Sequence, residues 1–336
     1  MTEVSRDEVL QLAQNIDAHI ITQLIAAAVR FGIPDHLARG IHTEVQLSAA
    51  TGIGVSELRR YLRALQGLGL VEFVREGEYR GTAVSGLLRR DTGNAYGQAL
   101  MAGSEYYNTW SELDYALQSG ESAFERRHGC TLWSYFGNHP EVAASFARTM
   151  RANSSYDLNE VLNLYQFPVA GVIADLGAGD GTLVAGLLER FPELRALVLE
   201  QPAVIGNARR TLHERGVLNR CTLIAGDFLT EIPEHADLYL LKSVIHNWND
   251  ENALRILRRC RDSMAKHSRV LVIERAMNDK SDDMLPTAVR DLTMLVLFGG
   301  RDRTAEAYGK LLREAGFAVD ETRRGASGMC IIEGTR

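Results

Sequence analysis

Between residues 172 and 182 the chain reads Val-Ile-Ala-Asp-Leu-Gly-Ala-Gly-Asp-Gly-Thr. A short β-branched run ends in Asp175, glycines follow at alternate positions 177, 179 and 181, and an apolar helical pattern begins at Leu183. The order is strand, tight turn, helix. Glycine admits positive φ and lets a ligand lie against bare backbone. The helix start offers unpaired N–H groups at the carboxyl end of a strand, where open α/β sheets bind ligands. A dinucleotide fingerprint, G-x-G-x-x-G, does not fit: the third glycine comes one residue early and Thr182 stands in its place. Glu200 ends the next strand-like run, and a carboxylate there accepts the hydroxyl hydrogens of a ribose. Gly226-Asp227-Phe228 follows a third run, with a carboxylate for an adenine amino group and a ring to cover the base. A fourth run leads into Lys242, Ser243, His246 and Trp248. A histidine of ordinary pKa near ~6.5 takes the proton of a hydroxyl that is a poor nucleophile at neutral pH. A carboxylate on its other ring nitrogen fixes the tautomer and stabilises the imidazolium.

The spacing Asp-x-Gly-x-Gly-x-Gly resembles motif I of the class I S-adenosylmethionine (SAM) methyltransferases. From Leu241 the chain reads Leu-Lys-Ser-Val-Ile-His-Asn-Trp-Asn-Asp-Glu. This stretch resembles the plant-type and bacterial small-molecule O-methyltransferase family, whose matching residues are Leu-Lys, then His-Asp-Trp, then Asp-Glu. The likeness covers nearly the whole chain, including the Met-Arg pair at 150–151 and Gly299-Gly300-Arg301-Asp302-Arg303-Thr304. The resemblance implies His246 as general base and Glu274 and Asp302 as the two acids that hold it. It implies SAM as cofactor, S-adenosylhomocysteine as product, and Asp175, Gly177, Gly179, Gly181, Glu200, Gly226, Asp227, Phe228, Lys242, Ser243 and Trp248 as the residues around it. Met294 falls in a helix that lines the family's substrate pocket. Three departures stand out. Asn247 replaces an Asp, Glu200-Gln201-Pro202 replaces Asp-Leu-Pro, and Asp302 is one methylene shorter than the Glu many members carry, which bears on how tightly His246 is oriented.

Positioning these residues requires a doubly wound sheet. From 172 onward strand-like runs alternate with helical ones, the signature of βαβ units with helices on both faces. Runs at 317–322 and 329–333 close the sheet. Upstream, 9–31 reads as one long helix with apolar residues on two faces, among them Ile16, Ile20, Ile21 and Ile25, and a second copy of the chain is one candidate to cover it. Residues 42–90 have the order of a winged helix, with Ser56 placed to cap the helix 57–68 and two strands about Gly77. Arg59, Arg60 and Arg63 on that helix invite a DNA-binding reading, but the surplus of acid favours a scaffold. Residues 95–164 read as helical and rich in aromatics. Walls for a flat aromatic substrate are sought here, in His128, Trp133, Phe136, Met150 and Asn153. The expected organisation is thus an α/β Rossmann-like methyltransferase domain, 169–336, after a helical winged-helix dimerisation domain, 1–95, and a helical linker region, 96–168.

The 336 residues carry a net charge of −6, which argues against nucleic acid as the main partner. The four cysteines lie far apart, with neither a disulfide framework nor metal-ligand spacing, so no metal is expected. No apolar run approaches a membrane span and the N-terminus has no signal-peptide pattern, which leads to a cytoplasmic enzyme working away from membranes. The expected activity is SAM-dependent O-methylation of an aromatic hydroxyl in a specialised metabolite such as a polyketide or phenazine, by a homodimer. Alternatives are N-methylation of a heteroaromatic ring, a relative turned to hydroxylation or decarboxylation, and, in another class, a SAM-responsive DNA-binding regulator.

Overall fold

The structure, a computed structural model, describes residues 4–277 and 284–336. The chain divides into two compact units, one of residues 1–108 with 144–149 and the other of 109–143 with 150–336. The aromatic-rich stretch 96–168 is thus shared between them, whereas composition shifts at 168–171. Helix Pro140–Leu164 supplies residues to both units.

The first unit begins with helix Arg6–Arg30, started by a Ser5/Glu8 capping box and ended before Gly32, whose φ of +65° turns the chain into helix Ile33–Ala38. Helices Glu44–Thr51 and Val55–Gly67 and the hairpin of β1 (Val71–Arg75) and β2 (Glu78–Gly81) complete the winged-helix order. Leu47, Leu58, Leu62 and Leu65 are fully buried in its core. The second of these helices is not capped by Ser56. Gly54 occupies the cap with no side-chain hydrogen bond, because the helix starts one residue earlier than its polar signal. Arg59 is spoken for by Glu44, which it grips with Nε and Nη2 at 3.0 and 2.7 Å. Over residues 9–21 of helix Arg6–Arg30, Val9, Leu10, Leu12, Ile16, Ile20 and Ile21 are all exposed.

The second unit is built on seven strands: β3 (Ala170–Leu176), β4 (Glu193–Glu200), β5 (Cys221–Ala225), β6 (Leu238–Lys242), β7 (Arg269–Arg275), β8 (Ala318–Arg324) and β9 (Met329–Thr335). Their order is β5-β4-β3-β6-β7-β9-β8. β3 to β7 run parallel, and β9 lies antiparallel between β7 and β8. The direction of winding reverses between β3 and β6, which opens a crevice at their carboxyl ends. Alternate residues of the central strands feed two separate cores. Tyr239, Leu241, Val270 and Val272 pack with helices Asp250–Ser263 and Ala305–Glu314. Leu238, Leu240, Leu271 and Ile273 pack with helices Thr182–Arg190 and Ile205–Glu214. Burial on both faces is why these strands read as continuous apolar runs rather than as alternating ones.

Candidate active site

The glycine turn leaves the end of β3 with all three glycines at positive φ, +80°, +60° and +75° for Gly177, Gly179 and Gly181. A side chain at Gly177 would strike Val244 Cγ2 at 3.0 Å and Phe228 Cε1 at 3.3 Å, while the space beside Gly179 is open. Glu200, at the end of β4, fastens the turn: its carboxylate accepts the N–H of Gly179 and the N–H of Gln201, each at 2.7 Å. The Gly226 N–H donates to the Glu200 carbonyl at 3.0 Å, so the third loop is tied to the second. Asp227 is exposed and its Oδ1 accepts the Leu229 N–H at 2.8 Å. Phe228 stands edge-on to Trp248, 6.1 Å between centroids. Ser243, at the end of β6, adopts a left-handed φ of +54°, and its carbonyl accepts from Asn247 Nδ2 at 3.3 Å. The loops after β3, β5 and β6 therefore converge on one crevice.

Two features of this crevice were not foreseen. Lys242 does not point a free ammonium at it, because its Nζ pairs with Asp157 at 2.9 Å, and Asp157 also receives Arg275. Arg151, on the same helix as Asp157, grips Asp180 of the glycine turn at 2.6 Å and donates to Thr211. Helix Pro140–Leu164 is thus strapped to the carboxyl ends of the strands at both points. Burial drives the Asp175 carboxyl up to about 7, helped by the nearby Glu200 charge and opposed by Lys242. Burial also raises Glu200, against the two N–H groups it accepts.

His246 sits in a single helical turn, Ile245–Asn247, after β6. Its Nδ1 lies 3.2 Å from Asp302 Oδ1 and 3.5 Å from Glu274 Oε2. The two acids do different work. Glu274 Oε1 accepts the backbone N–H groups of Val244, Ile245 and His246 at 3.1, 2.8 and 3.3 Å, so Glu274 holds the turn itself. Asp302 makes the hydrogen bond to the ring. Both carboxylates are closed off from solvent while the imidazole keeps 17% of its surface, enough to meet a substrate. Burial alone would pull the ring's pKa down, but the charges of Glu274 and Asp302 outweigh it and the net shift is upward. Glu274 is raised by burial against His246, whereas Asp302, also buried, is held below the usual range by His246 and Arg290.

The loop 299–304 that carries Asp302 is docked by backbone as well as by side chains. The Arg301 N–H donates to the His246 carbonyl at 2.9 Å, and a side chain at Gly300 would lie 2.3 Å from that same oxygen. Only glycine fits so close an approach. Arg303, almost fully buried, donates to the carbonyls of Ile245 and Trp248 and pairs with Asp250 at 2.6 Å. The loop motif was visible in the sequence; the roles of Gly300 and Arg303 were not.

Helix Met284–Phe298 bears Met294 and packs on both the His246 turn and helix Ala123–His128. Trp133 stacks on Phe298 at 5.3 Å and meets Phe136 edge-on at 5.9 Å. His128 lies on Phe124 at 4.2 Å and against Tyr135. Trp133, with Phe136 beside it, and the helix that ends in His128 therefore pack against the helix that bears Met294. Phe136 is only 3% exposed and belongs to the packing beneath. Met150 is half-buried and Asn153 exposed on helix Pro140–Leu164.

Residues 110–318 match the family model of the O-methyltransferase domain, and residues 13–91 that of the O-methyltransferase dimerisation domain. The chain is 32% identical to the phenazine O-methyltransferase of Lysobacter antibioticus, over 99% of both chains. It is 34% identical to the mitomycin biosynthesis 6-O-methyltransferase of Streptomyces lavendulae, over 92% of this chain and 89% of the relative. A phenazine-1-carboxylate N-methyltransferase of Pseudomonas aeruginosa is 30% identical over 92% of each. Among solved structures, an O-methyltransferase from neocarzinostatin biosynthesis, crystallised with SAM and 2-hydroxy-5-methyl naphthoic acid, superposes with a TM-score of 0.82 at 29% identity, covering 94% of this chain and 95% of that one.

Proposed function

The chain belongs to the O-methyltransferase family, with a dimerisation domain ahead of the methyltransferase domain, and we propose that it methylates a hydroxyl group of an aromatic specialised metabolite, using SAM. The observation that carries this reading is His246, with Nδ1 held by Asp302 at 3.2 Å and the turn beneath it pinned by Glu274. The residues of the glycine turn fit the cofactor. The bare backbone at Gly179 borders open space, Glu200 lies directly under it with a lone pair left on each oxygen, and Phe228 and Trp248 offer aromatic surface beside Gly177. When bound, SAM supplies a methyl group on a sulfonium, a leaving group that needs no further activation.

The chain's own residues then have three tasks. Trp133, Met294 and Phe298 offer apolar and aromatic surface to a flat ring. With its Nδ1 proton donated to Asp302, His246 presents Nε2 to the substrate hydroxyl and removes its proton as the oxygen attacks. The imidazolium formed is stabilised by two buried carboxylates, while in-line positioning of the reactants supplies much of the remaining acceleration. A methyl-transfer screen with labelled SAM, set against aromatic hydroxyl compounds and ring-nitrogen heteroaromatics, tests the reading. Labelling of hydroxyl compounds is expected. Labelling of ring nitrogens alone would replace it with the activity carried by the Pseudomonas aeruginosa relative.

The exposed apolar half of helix Arg6–Arg30 supports a homodimer closed through this helix. Light scattering at micromolar concentration is expected to give twice the chain mass, and Ile16→Glu with Ile20→Glu to give the monomer.

A further inference from the structure

Asp302 is not the end of the chain of contacts that starts at the His246 ring. Its second oxygen, Oδ2, pairs with Arg290 Nε, and Arg290 Nη2 donates to the carbonyl of Arg275 at 3.1 Å. Arg275 directly follows Glu274 in β7. The neighbouring Asp291 accepts the backbone N–H of Asp302 at 2.8 Å. Adjacent residues of helix Met284–Phe298 therefore hold the short carboxylate by its side chain and by its backbone, and fasten it to the strand end that carries the other acid. A residue one methylene shorter than Glu reaches the ring because it is gripped from behind.

We infer that Arg290 is a positioning residue of the base, which seats Asp302 on the imidazole and draws off part of its charge, so that His246 gives up its proton more readily than its two acids alone would allow. The inference rests on the general-base reading of His246. The reasoning is electrostatic. Two buried carboxylates beside one imidazole favour the protonated ring, and a base that is always protonated accepts nothing. The other ionisable groups around the ring do not correct this. Tyr308, on helix Ala305–Glu314, is pushed well above its ordinary range, and Cys330, on β9, up to about 12, both by burial, so both stay neutral. Asp291 is acidic and raised by burial. Arg303 is committed to Asp250 and to three carbonyls. Arg290 is the cation placed directly on the ring's own partner, and its charge opposes the upward pull of Glu274 and Asp302.

The test is an NMR titration of the His246 ring in the full-length protein, which needs no turnover. In Arg290→Met the midpoint is expected to rise by roughly half to one pH unit, the size of one partly screened charge at this range. Arg290→Lys keeps the charge without the fork and is expected to stay near wild type. It also serves if the Met variant does not fold. Because part of the effect runs through the seating of Asp302, it should be smaller, though not absent, in an Asp302→Asn background. The pH profile of kcat/KM should move to higher pH by the same amount, with KM for the aromatic substrate unchanged. An unmoved or lowered ring midpoint in Arg290→Met overturns the inference, and so does a shift that persists in full without the Asp302 charge. Failure of the general-base reading looks different: the ring would titrate as expected while His246→Ala kept its turnover.

Discussion

Two pairs of buried acids sit at the carboxyl edge of the same sheet; burial raises three of the four, Glu274 at the base among them, and Asp302 is the one held low. At the glycine turn, burial raises both Asp175 and Glu200, and the nearest ammonium, Lys242, is already engaged by Asp157. At the base, Asp302 is more deeply enclosed than many surface acids yet held low, because His246 and Arg290 flank it. Burial penalises a charge wherever it occurs, and the partner decides the outcome. A surplus of negative charge suits a crevice that receives a cationic ligand. A balanced cluster suits a site whose own side chain gains and loses a proton. On the proposed function the contrast separates binding from chemistry inside one fold, and each half is open to a measurement that would break it.

The largest effect belongs to the base. His246→Ala is expected to lower kcat by about 10²–10⁴ on a substrate whose hydroxyl has a high pKa, with SAM affinity unchanged. Wild-type activity should rise with pH through a midpoint above that of an ordinary histidine, because the net shift of the ring is upward. Asp302→Asn should cost less than His246→Ala and should not add to it, since residues that act as one unit are non-additive. If His246→Ala keeps near-full turnover on such a substrate, proximity alone accounts for the rate, and the balanced cluster is a structural feature.

Next in size is the binding half. Glu200→Ala is expected to weaken SAM binding by about 1.5–3 kcal/mol, the value of a charged hydrogen-bond pair. Part of that loss comes from the turn, since Glu200 also accepts the Gly179 and Gln201 N–H groups. Glu200→Gln separates the two contributions by keeping an acceptor for the turn and removing the charge. Calorimetry that finds SAM affinity unchanged in both variants would remove Glu200 from the cofactor site and with it the binding half of the contrast.

The two halves also differ in how far they can be read from the chain. The crevice proposed for the cofactor is built from strand ends and the loops that follow them, so its glycines, Glu200 and Gly226 stand out in order along the sequence. The alternation of strands and helices that places them follows from apolar runs buried on both faces of the sheet. The base cluster is assembled from residues near 246, 274, 290 and 302, which only the sheet order brings together. His246 and its two acids were reached through resemblance to a family. Arg290, Asp291 and Asp157 were not reached at all, and Arg303 was reached as part of the loop motif but without its role. A charged residue on a helix looks the same in a sequence whether it faces solvent or grips an acid twelve residues away. The division of labour between Glu274 and Asp302 depends on which oxygen meets which N–H, and spacing does not encode that.

The smallest effect tests whether the acids at the turn are truly uncompensated. An acid whose folded-state pKa is raised binds its proton more tightly when folded. It therefore contributes stability that is complete below the unfolded value and lost as pH rises toward the folded one. For Asp175 that window runs from the ordinary aspartate value of 3.8 to about 7. Asp175→Asn removes the ionisation and keeps a side chain of similar shape. The informative quantity is the difference in Tm between variant and wild type, followed from pH 4 to pH 8 without SAM. Groups that titrate alike in both proteins, His246 among them, cancel in that difference. The variant is expected to gain on wild type by a few degrees as the pH climbs toward 7 and to gain no more beyond it. With saturating SAM the advantage should shrink or reverse, because a bound cation favours the ionised Asp175. Melting curves that stay parallel across the whole range would mean that Asp175 holds its proton no more tightly in the folded protein than in the unfolded chain. The turn would then be as well balanced as the base, and the two regions would differ in position alone.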